Sequence, residues 1–310
     1  MFDVAIVGGG PAGLSAALTL GRARRRVLVY DVGQGRNAPA SGVHGLLTRD
    51  GIAPEELRRV ARDQIGKYPT VEFRAGRVAD VSGSCDGFAV TADGREEQAR
   101  RVLLATGVVD DLPEIDGLGE LWGRGVYHCP YCHGYEVRDQ PIAVLALTPG
   151  DVALATNLTR YSDDVVFCTN GAVDLGAEES ACLDKLGVAV WSEPIKRLES
   201  EQDRLRRVVF GDGSVLERSA FFVHGTTRQA SDLPARLGVG LLDDGAVEVD
   251  DLQHTSVAGV SAAGDLARRR SMPLPGSMVS IAMACGAVAA VGLDQDLLEA
   301  NAPRMTSSPA

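Results

Sequence analysis

The chain has 310 residues, 45% of them apolar, which is long enough for one very large domain or two of ordinary size. Its formal net charge of -11 disfavours nucleic acids and anionic membrane surfaces as partners. Because residues 2–7 are already strand-like, we expect no signal peptide, and the longest nearly apolar run, residues 281–293, is too short and too rich in Ala and Gly to span a bilayer. We therefore expect a soluble, cytoplasmic protein.

A nucleotide-binding pattern opens the chain. Residues 3–7 predict a buried strand, which leads into a glycine-rich turn and an alanine-rich helix, and a second strand at 27–30 ends at Asp31. The turn is Gly8-Gly9-Gly10-Pro11-Ala12-Gly13, with the spacing G-x-G-x-x-G. Its glycines allow a pyrophosphate to approach the helix N-terminus, and an acid at position 31 can accept hydrogen bonds from a ribose. This context predicts a dinucleotide site rather than a glycine-rich turn without a ligand.

After the second strand, the sequence predicts a helix, a group of short strands and two crossings between domains. Residues 54–67 predict an amphipathic helix, and residues 71–105 predict a small β-meander that ends in a buried strand before Ala105-Thr106-Gly107. Residues 110–123, rich in Asp, Gly and Leu, predict a crossing between domains, and a second crossing is predicted at about residues 225–234.

Two cysteines near the middle of the chain carry the most reactive chemistry. They lie in the run His128-Cys129-Pro130-Tyr131-Cys132-His133. A C-x-x-C pair can form a redox-active disulfide, bind zinc with further ligands, or attach a c-type haem when a histidine follows it. Four zinc ligands within six residues are cramped, and c-type haem implies export, but a non-enzymatic zinc or haem protein stays an alternative. We expect the four other cysteines to be reduced: Cys85, Cys168, Cys182 and Cys285.

A second strand–turn–helix–strand pattern covers residues 141–168. Its turn reads Ala146-Leu147-Thr148-Pro149-Gly150-Asp151, so the glycines that admit a pyrophosphate are replaced. The residues after the next strand, 169–174, contain no arginine for a 2′-phosphate and end in an acid. This predicts a nucleotide-like scaffold that carries the C-x-x-C, rather than a working nicotinamide site.

The C-terminal part contains a short strand that ends at Gly264-Asp265, where a carboxylate can accept hydrogen bonds from a polyol chain. A helix is predicted from Val279 to Val291, with an N-terminus that can stabilise negative charge. The turn Pro273-Leu274-Pro275 is a candidate pocket wall, and residues 301–310 are expected to form a frayed tail.

Four of these features occur in the same order in a known family. The first fingerprint with its acid, Ala105-Thr106-Gly107, the C-x-x-C and the segment Thr255 to Asp265 together resemble the low-molecular-weight thioredoxin reductases, over nearly the whole chain. The resemblance implies an α/β fold of two Rossmann-like domains of the three-layer ββα type. It implies a discontinuous FAD-binding domain (residues 1–115 and 226–310), an inserted pyridine-nucleotide-like domain (residues 116–225) and a homodimer.

Two departures point to one branch of this family. The reductases have an intact second fingerprint with basic residues for NADPH, and they carry an aspartate where this chain has His133. The run from Cys129 to Glu136 is similar instead to the flavin-dependent dithiol oxidases that close disulfides in gliotoxin, holomycin and romidepsin biosynthesis. The segment from Asp31 to Asn37, with His44-Gly45, also resembles that branch.

The resemblance implies roles for individual residues. Cys129 exchanges with the substrate and Cys132 contacts the flavin. We hypothesise that His133 takes protons from the substrate thiols because a thiolate is the nucleophile; His128 is a weaker candidate with a structural alternative, and His224 and His254 are expected to be structural. No metal ligands are expected. The residues implied in FAD binding are Gly8, Gly10, Pro11, Ala12, Gly13, Asp31, Arg36, Asn37, His44, Ala105, Thr106, Gly107, Gly264, Asp265, Met278 and Val279.

The expected function is that of an FAD-dependent dithiol oxidase. It would form an intramolecular disulfide in a small, natural-product-type dithiol and pass the electrons through FAD to dioxygen, giving hydrogen peroxide. The alternative is an NADPH-dependent reductase of thioredoxin disulfide.

Overall fold

The computed structural model describes residues 1–272 and 276–301, and the chain divides into two compact units. The first unit comprises residues 1–36, 55–109 and the chain from 228 onward, and the second comprises residues 37–54 and 110–227. The predicted boundaries differ from this division mainly at residues 37–54, whose contacts group with the second unit. The Pro273-Leu274-Pro275 turn and the tail after residue 301 lie outside the described residues.

The helices and strands follow one another in three stretches of chain. The first contains β1 (Phe2–Val7), α1 (Pro11–Arg22), β2 (Val27–Asp31), α2 (Pro54–Ile65), β3 (Val71–Ala75), β4 (Val78–Ser84), β5 (Gly87–Ala92), β6 (Arg95–Leu104) and β7 (Val108–Asp111). The second contains β8 (Val126–Tyr127), α3 (Pro130–His133), β9 (Ile142–Leu145), α4 (Val152–Leu158), β10 (Val165–Cys168), α5 (Ala177–Leu186), β11 (Ala189–Trp191), β12 (Ile195–Glu201), β13 (Arg204–Phe210), β14 (Val215–Glu217) and β15 (Ala220–Val223). The third contains β16 (Thr226–Gln229), α6 (Leu233–Arg236), β17 (Val247–Glu248), β18 (Val260–Ala262), β19 (Ala267–Arg268) and α7 (Val279–Asn301).

A seven-stranded sheet is the centre of the first unit. Its order is β3-β2-β1-β6-β5-β4, with β18 also paired to β6. Strands β3, β2, β1, β6 and β18 pair with their neighbours in parallel. Strands β5 and β4 then extend the sheet in antiparallel fashion. Successive side chains of β1 point to opposite faces, so Val4 and Ile6 pack in one core cluster and Ala5 and Val7 in the other. The sheet is therefore covered on both faces, as parallel strands require.

Helix α7 is longer than the sequence predicted. It continues to Asn301 rather than ending at Val291, and by length and composition alone it could cross a membrane, with a mean hydropathy of 1.5 in its most apolar part. However, Leu293 and Leu297 are fully buried, and a side chain at Gly286 would overlap the backbone carbonyl of Ala12 in α1. This close packing is typical of the core helix of a globular domain.

A five-stranded sheet, entirely parallel, forms the second unit, with the order β11-β10-β9-β15-β8. Its central strands β9, β10 and β15 are fully buried, and β12, β13 and β14 form a separate antiparallel sheet. Strand β8 lies at the edge of the parallel sheet and leads directly into the cysteine motif.

Candidate active site

A disulfide joins Cys129 and Cys132, whose Cα atoms are 5.2 Å apart. Cys129 is the N-cap residue of the short helix α3, and Pro130 follows at the first helical position, where a missing N–H is tolerated. The backbone N–H of Cys132 donates a hydrogen bond to Cys129 Sγ at 3.1 Å. This N–H favours the thiolate form of Cys129 once the disulfide opens, because a hydrogen bond to an anion is stronger than one to a neutral atom.

His133 is an uncharged base beside this disulfide. Its ring stacks on Tyr127 with a centroid separation of 4.6 Å. Both ring nitrogens are buried and have no hydrogen-bond partner among the described residues. Burial, with smaller contributions from His128 and His44, lowers the pKa of His133 to about 4. At neutral pH His133 is therefore uncharged, with a free nitrogen lone pair, but its low pKa makes it a weaker proton acceptor than an ordinary histidine.

His44 lies beside His133, although the resemblance assigns it to FAD binding. Its ring centroid is 6.1 Å from that of His133, and the two planes meet at 79°. Its Nδ1 lies 3.3 Å from Oε1 of Glu136 and 3.9 Å from Oδ1 of Asp50. All of these contacts are within the second unit, so the structure brings His44 together with the catalytic candidates.

Other histidines and cysteines have surroundings typical of structural residues. His128 stacks on Trp122 at a centroid separation of 5.6 Å. Cys168 is fully buried, and this burial raises the pKa of its thiol to about 12. Within residues 1–272 and 276–301, no three His, Cys, Asp or Glu side chains converge as a set of metal ligands.

The first glycine turn leaves the N-terminus of α1 open. A Cβ at Gly13 would overlap the carbonyl oxygen of Gly8, whereas a Cβ at Gly10 would meet no other part of the described chain within 4 Å. Gly10 is the N-cap residue, and α1 has neither a capping side chain nor an acidic residue in its first turn. The free N–H groups and the open space fit a pyrophosphate.

Further predicted FAD residues surround this turn. A Cβ at Gly8 would overlap the carbonyl of Ala105, and the neighbouring hydroxyl of Thr106 is buried without a hydrogen-bond partner in the described chain. Such an orphaned group costs roughly 1–3 kcal/mol, so it fits a site that a ligand completes. Arg36 Nη1 donates to Oδ2 of Asp265 at 2.8 Å.

The remaining predicted FAD residues are divided between the two units. Gly107 has a positive φ of 71°, and Gly264 lies against Ala12. Met278 and Val279 are half-buried where α7 begins. Asn37, in contrast, belongs to the second unit with His44.

Asp31 is a fixed, buried carboxylate at the end of β2. It accepts hydrogen bonds from the Gly33 N–H at 3.0 Å, from Arg58 Nη2 at 2.7 Å and from Arg62. Burial by itself would raise the pKa of Asp31, but the Gly33 hydrogen bond and the two guanidinium charges hold that pKa below its ordinary value. An ionised acid at this position is what the fold uses to bind a ribose.

The second turn, between β9 and α4, is filled by a side chain of its own. Asp151 Oδ2 accepts hydrogen bonds from the backbone N–H groups of Leu147 at 2.9 Å and Thr148 at 2.8 Å. The Thr148 hydroxyl also donates to it at 3.2 Å, and the two residues form a capping box. Asp151 is only 7% exposed. Its carboxylate therefore takes the anion position that an intact fingerprint keeps for a phosphate.

Sequence analysis missed three residues that shape these sites. Asp151 could have been found, because Thr148 and Asp151 have capping-box spacing. Arg58 had a weaker signal, since it lies four residues from Arg62 on one face of α2. Glu136 had none, because its partner His44 is distant in the chain.

Comparison with known proteins agrees with this architecture. The family model for pyridine nucleotide-disulphide oxidoreductases matches residues 2–282. The putative thioredoxin reductase TrxB from Bacillus anthracis is 31% identical with a TM-score of 0.90, covering 97% of this chain and 100% of its own. The structure of HlmI is 40% identical with a TM-score of 0.87, covering 96% of this chain and 93% of its own.

A curated relative extends the match in sequence. The thioredoxin reductase sirT from Leptosphaeria maculans is 32% identical over 320 residues, which cover 97% of this chain and 96% of the relative. The predicted α/β fold of the low-molecular-weight thioredoxin reductase type is confirmed. The chain thus belongs to the pyridine nucleotide-disulphide oxidoreductase family, as a thioredoxin reductase-like oxidoreductase.

Proposed function

We propose that the protein is an FAD-dependent dithiol oxidase, which forms an intramolecular disulfide in a small dithiol with dioxygen as the final electron acceptor and hydrogen peroxide as the product. The second unit supports this proposal with a C-x-x-C disulfide next to the uncharged base His133. The resemblance of the Cys129 to Glu136 run to dithiol oxidases supports it further.

The residues that would hold FAD lie mainly in the first unit. The open turn at Gly10 would bind the pyrophosphate, Asp31 the adenosine ribose, and Asp265 a polyol chain, while the Thr106 hydroxyl has an unused hydrogen bond to offer. When bound, FAD supplies a two-electron acceptor that dioxygen can reoxidise.

The chain's own residues would carry out the thiol chemistry in two steps. His133 takes the proton from one substrate thiol, whose sulfur attacks Cys129 Sγ; the Cys129–Cys132 bond breaks and Cys132 leaves as a thiolate. The second substrate thiol loses its proton, attacks the substrate sulfur and expels Cys129 as a thiolate. The substrate has then lost two protons and two electrons. A base accelerates these steps because a thiol of pKa ~8.5 is only a few per cent ionised at neutral pH.

A single observation favours an oxidase over a pyridine-nucleotide-dependent enzyme. The carboxylate of Asp151 occupies the anion position of the second turn, and its negative charge would repel a phosphate. A dithiol substrate would then be the source of electrons, and a nicotinamide cofactor would not be needed.

The second candidate function is the reduction of a disulfide at the expense of NADPH, because several relatives carry the name thioredoxin reductase. An anaerobic titration separates the two functions. The purified yellow protein is mixed first with NADPH or NADH and then with dithiothreitol, while the flavin absorbance is followed. We expect bleaching by the dithiol alone, and the return of colour with peroxide when air is admitted. Rapid bleaching by NADPH would refute the oxidase proposal.

A further inference from the structure

His44 has no role in the thiol steps above, although its ring centroid lies 6.1 Å from that of His133, the residue that follows Cys132. Closing a dithiol releases two protons, one from each thiol, and a single imidazole accepts one proton at a time. Resting on the proposed function, we propose that His44, paired with Glu136, is the base for the second substrate thiol, while His133 serves the first.

The backbone holds His44 in place. Val43 and Ile52 form an antiparallel bridge, in which the Val43 N–H donates to the Ile52 carbonyl at 2.8 Å and the Gly51 N–H donates to the Val43 carbonyl at 2.8 Å. Gly42 lies against the imidazole, since a Cβ on that residue would come within 3.0 Å of His44 Nε2. The imidazole is therefore carried on a tight hairpin, where a Cβ at position 42 would require the ring to shift slightly.

The two imidazoles have a spacing that suits one small dithiol. Their centroids are 6.1 Å apart and their planes are nearly perpendicular. Two sulfur atoms that are about to form a bond of about 2 Å must approach each other closely, so both thiols of the substrate have to be deprotonated within a confined space. Two bases on different chain segments can each face one of these thiols.

The charges around the two rings differ in a way that assigns their roles. His133 is on the same short helix as the disulfide and stacks on Tyr127, and burial together with the nearby His128 and His44 leaves a proton on its ring poorly stabilised. His44 has carboxylates at 3.3 Å and 3.9 Å from Nδ1, those of Glu136 and Asp50. Glu136 can therefore orient the His44 ring through Nδ1, and its side chain, 33% exposed, connects this pair to solvent.

This division of roles makes a monothiol and a dithiol behave differently. A monothiol can carry out only the attack on Cys129, which uses His133. A dithiol must also carry out ring closure, which uses His44. Loss of the His44 base should therefore leave the first step intact and slow the second.

The experiment uses the full-length, FAD-loaded protein in the absence of oxygen, with 2-mercaptoethanol and dithiothreitol as probes. Rapid quenching and intact-mass spectrometry measure the formation of the mixed disulfide and its decay. For His44→Gln we expect mixed-disulfide formation with 2-mercaptoethanol within about twofold of wild type, and ring closure with dithiothreitol slowed by at least ~10-fold, so that the adduct accumulates. Glu136→Gln should also slow ring closure with dithiothreitol more than mixed-disulfide formation with 2-mercaptoethanol. The exposed His224→Gln should change neither rate.

The proposal would be overturned if His44→Gln and Glu136→Gln slowed the reactions with both probes equally, or slowed neither reaction. Failure of the proposed function would have a different signature. The wild-type protein would then form and resolve the mixed disulfide but produce no peroxide on admission of oxygen, while the comparison of the two probes would still report on His44.

Discussion

The carboxylate of Asp151 accepts a hydrogen bond from the backbone N–H of Thr148 at 2.8 Å, inside the turn that joins a buried strand to a helix. The equivalent turn of the first unit has no such carboxylate and is open at Gly10. One chain thus carries two versions of the same anion site. One is ready for a ligand, and the other is occupied by the protein itself.

Replacing Asp151 with Ala should destabilise the second unit and create an anion site. Two N–H groups lose their partner, at a cost of about 1–3 kcal/mol in the free energy of unfolding. In FAD-loaded protein, in which the first turn is filled, pyrophosphate should raise the Tm of Asp151→Ala but not that of wild type at matched ionic strength. Differential scanning fluorimetry measures both, with the exposed Asp174→Ala as the control. An equal rise in Tm with pyrophosphate in wild type, Asp151→Ala and Asp174→Ala would contradict this account.

Replacing Gly10 and Gly13 with Ala should separate folding from cofactor binding. Gly13→Ala should lower the Tm, because its Cβ would overlap the Gly8 carbonyl. Gly10→Ala has room for its Cβ and an ordinary φ of -79°, so the fold should survive while the methyl group occupies the space for the pyrophosphate. We expect Gly10→Ala to keep its far-UV circular dichroism and to lose most of its bound FAD, measured by absorbance. Full FAD content in this variant would argue against the assigned site.

Replacing His133 with Gln should slow thiol attack in a pH-dependent manner. At pH 7 we expect mixed-disulfide formation with 2-mercaptoethanol to fall by about 10- to 100-fold, because most of the thiol then lacks a base. As the pH rises, a larger fraction of 2-mercaptoethanol ionises without a base, so the deficit should shrink. Quenched-flow rates from pH 6 to 9.5 test this, and the exposed His224→Gln provides the matched control. A deficit that is independent of pH would indicate a purely structural role.

His133 should also affect stability at acidic pH. Its pKa is about 4 in the folded protein, whereas an unperturbed histidine, as in the unfolded chain, has a pKa of 6.5. Between these two pH values the imidazole is protonated in the unfolded chain but not in the folded protein. The free energy of unfolding therefore falls as the pH decreases from 6.5 to 4, by at most about 3 kcal/mol from this residue. The loss of Tm between pH 7 and pH 4.5 should be smaller in His133→Gln than in wild type. Equal losses would mean that the His133 pKa is not lowered.

The parts of the site that are formed by residues close together in the sequence could be predicted from sequence patterns. The glycine turn at Gly8 to Gly13 is specified by spacing, and the Cys129–Cys132 bond closes within one helical turn. The pair of His44 and Glu136 could not be predicted, because the two residues are distant in the chain. They meet only because residues 37–54 pack with the second unit, whereas the residues before and after them belong to the first. The end of α7 was also missed: the helix was predicted to end at Val291, but Leu293 and Leu297 beyond that point are buried against the core, and the helix continues to Asn301.

The excursion of residues 37–54 into the second unit has a consequence for protein engineering. A chimera cut only near residues 110 and 227 would combine the Glu136 of one parent with the His44 of the other. Grafting the thiol chemistry onto a related scaffold therefore requires two separate inserts, residues 37–54 and 110–227, taken from the same parent.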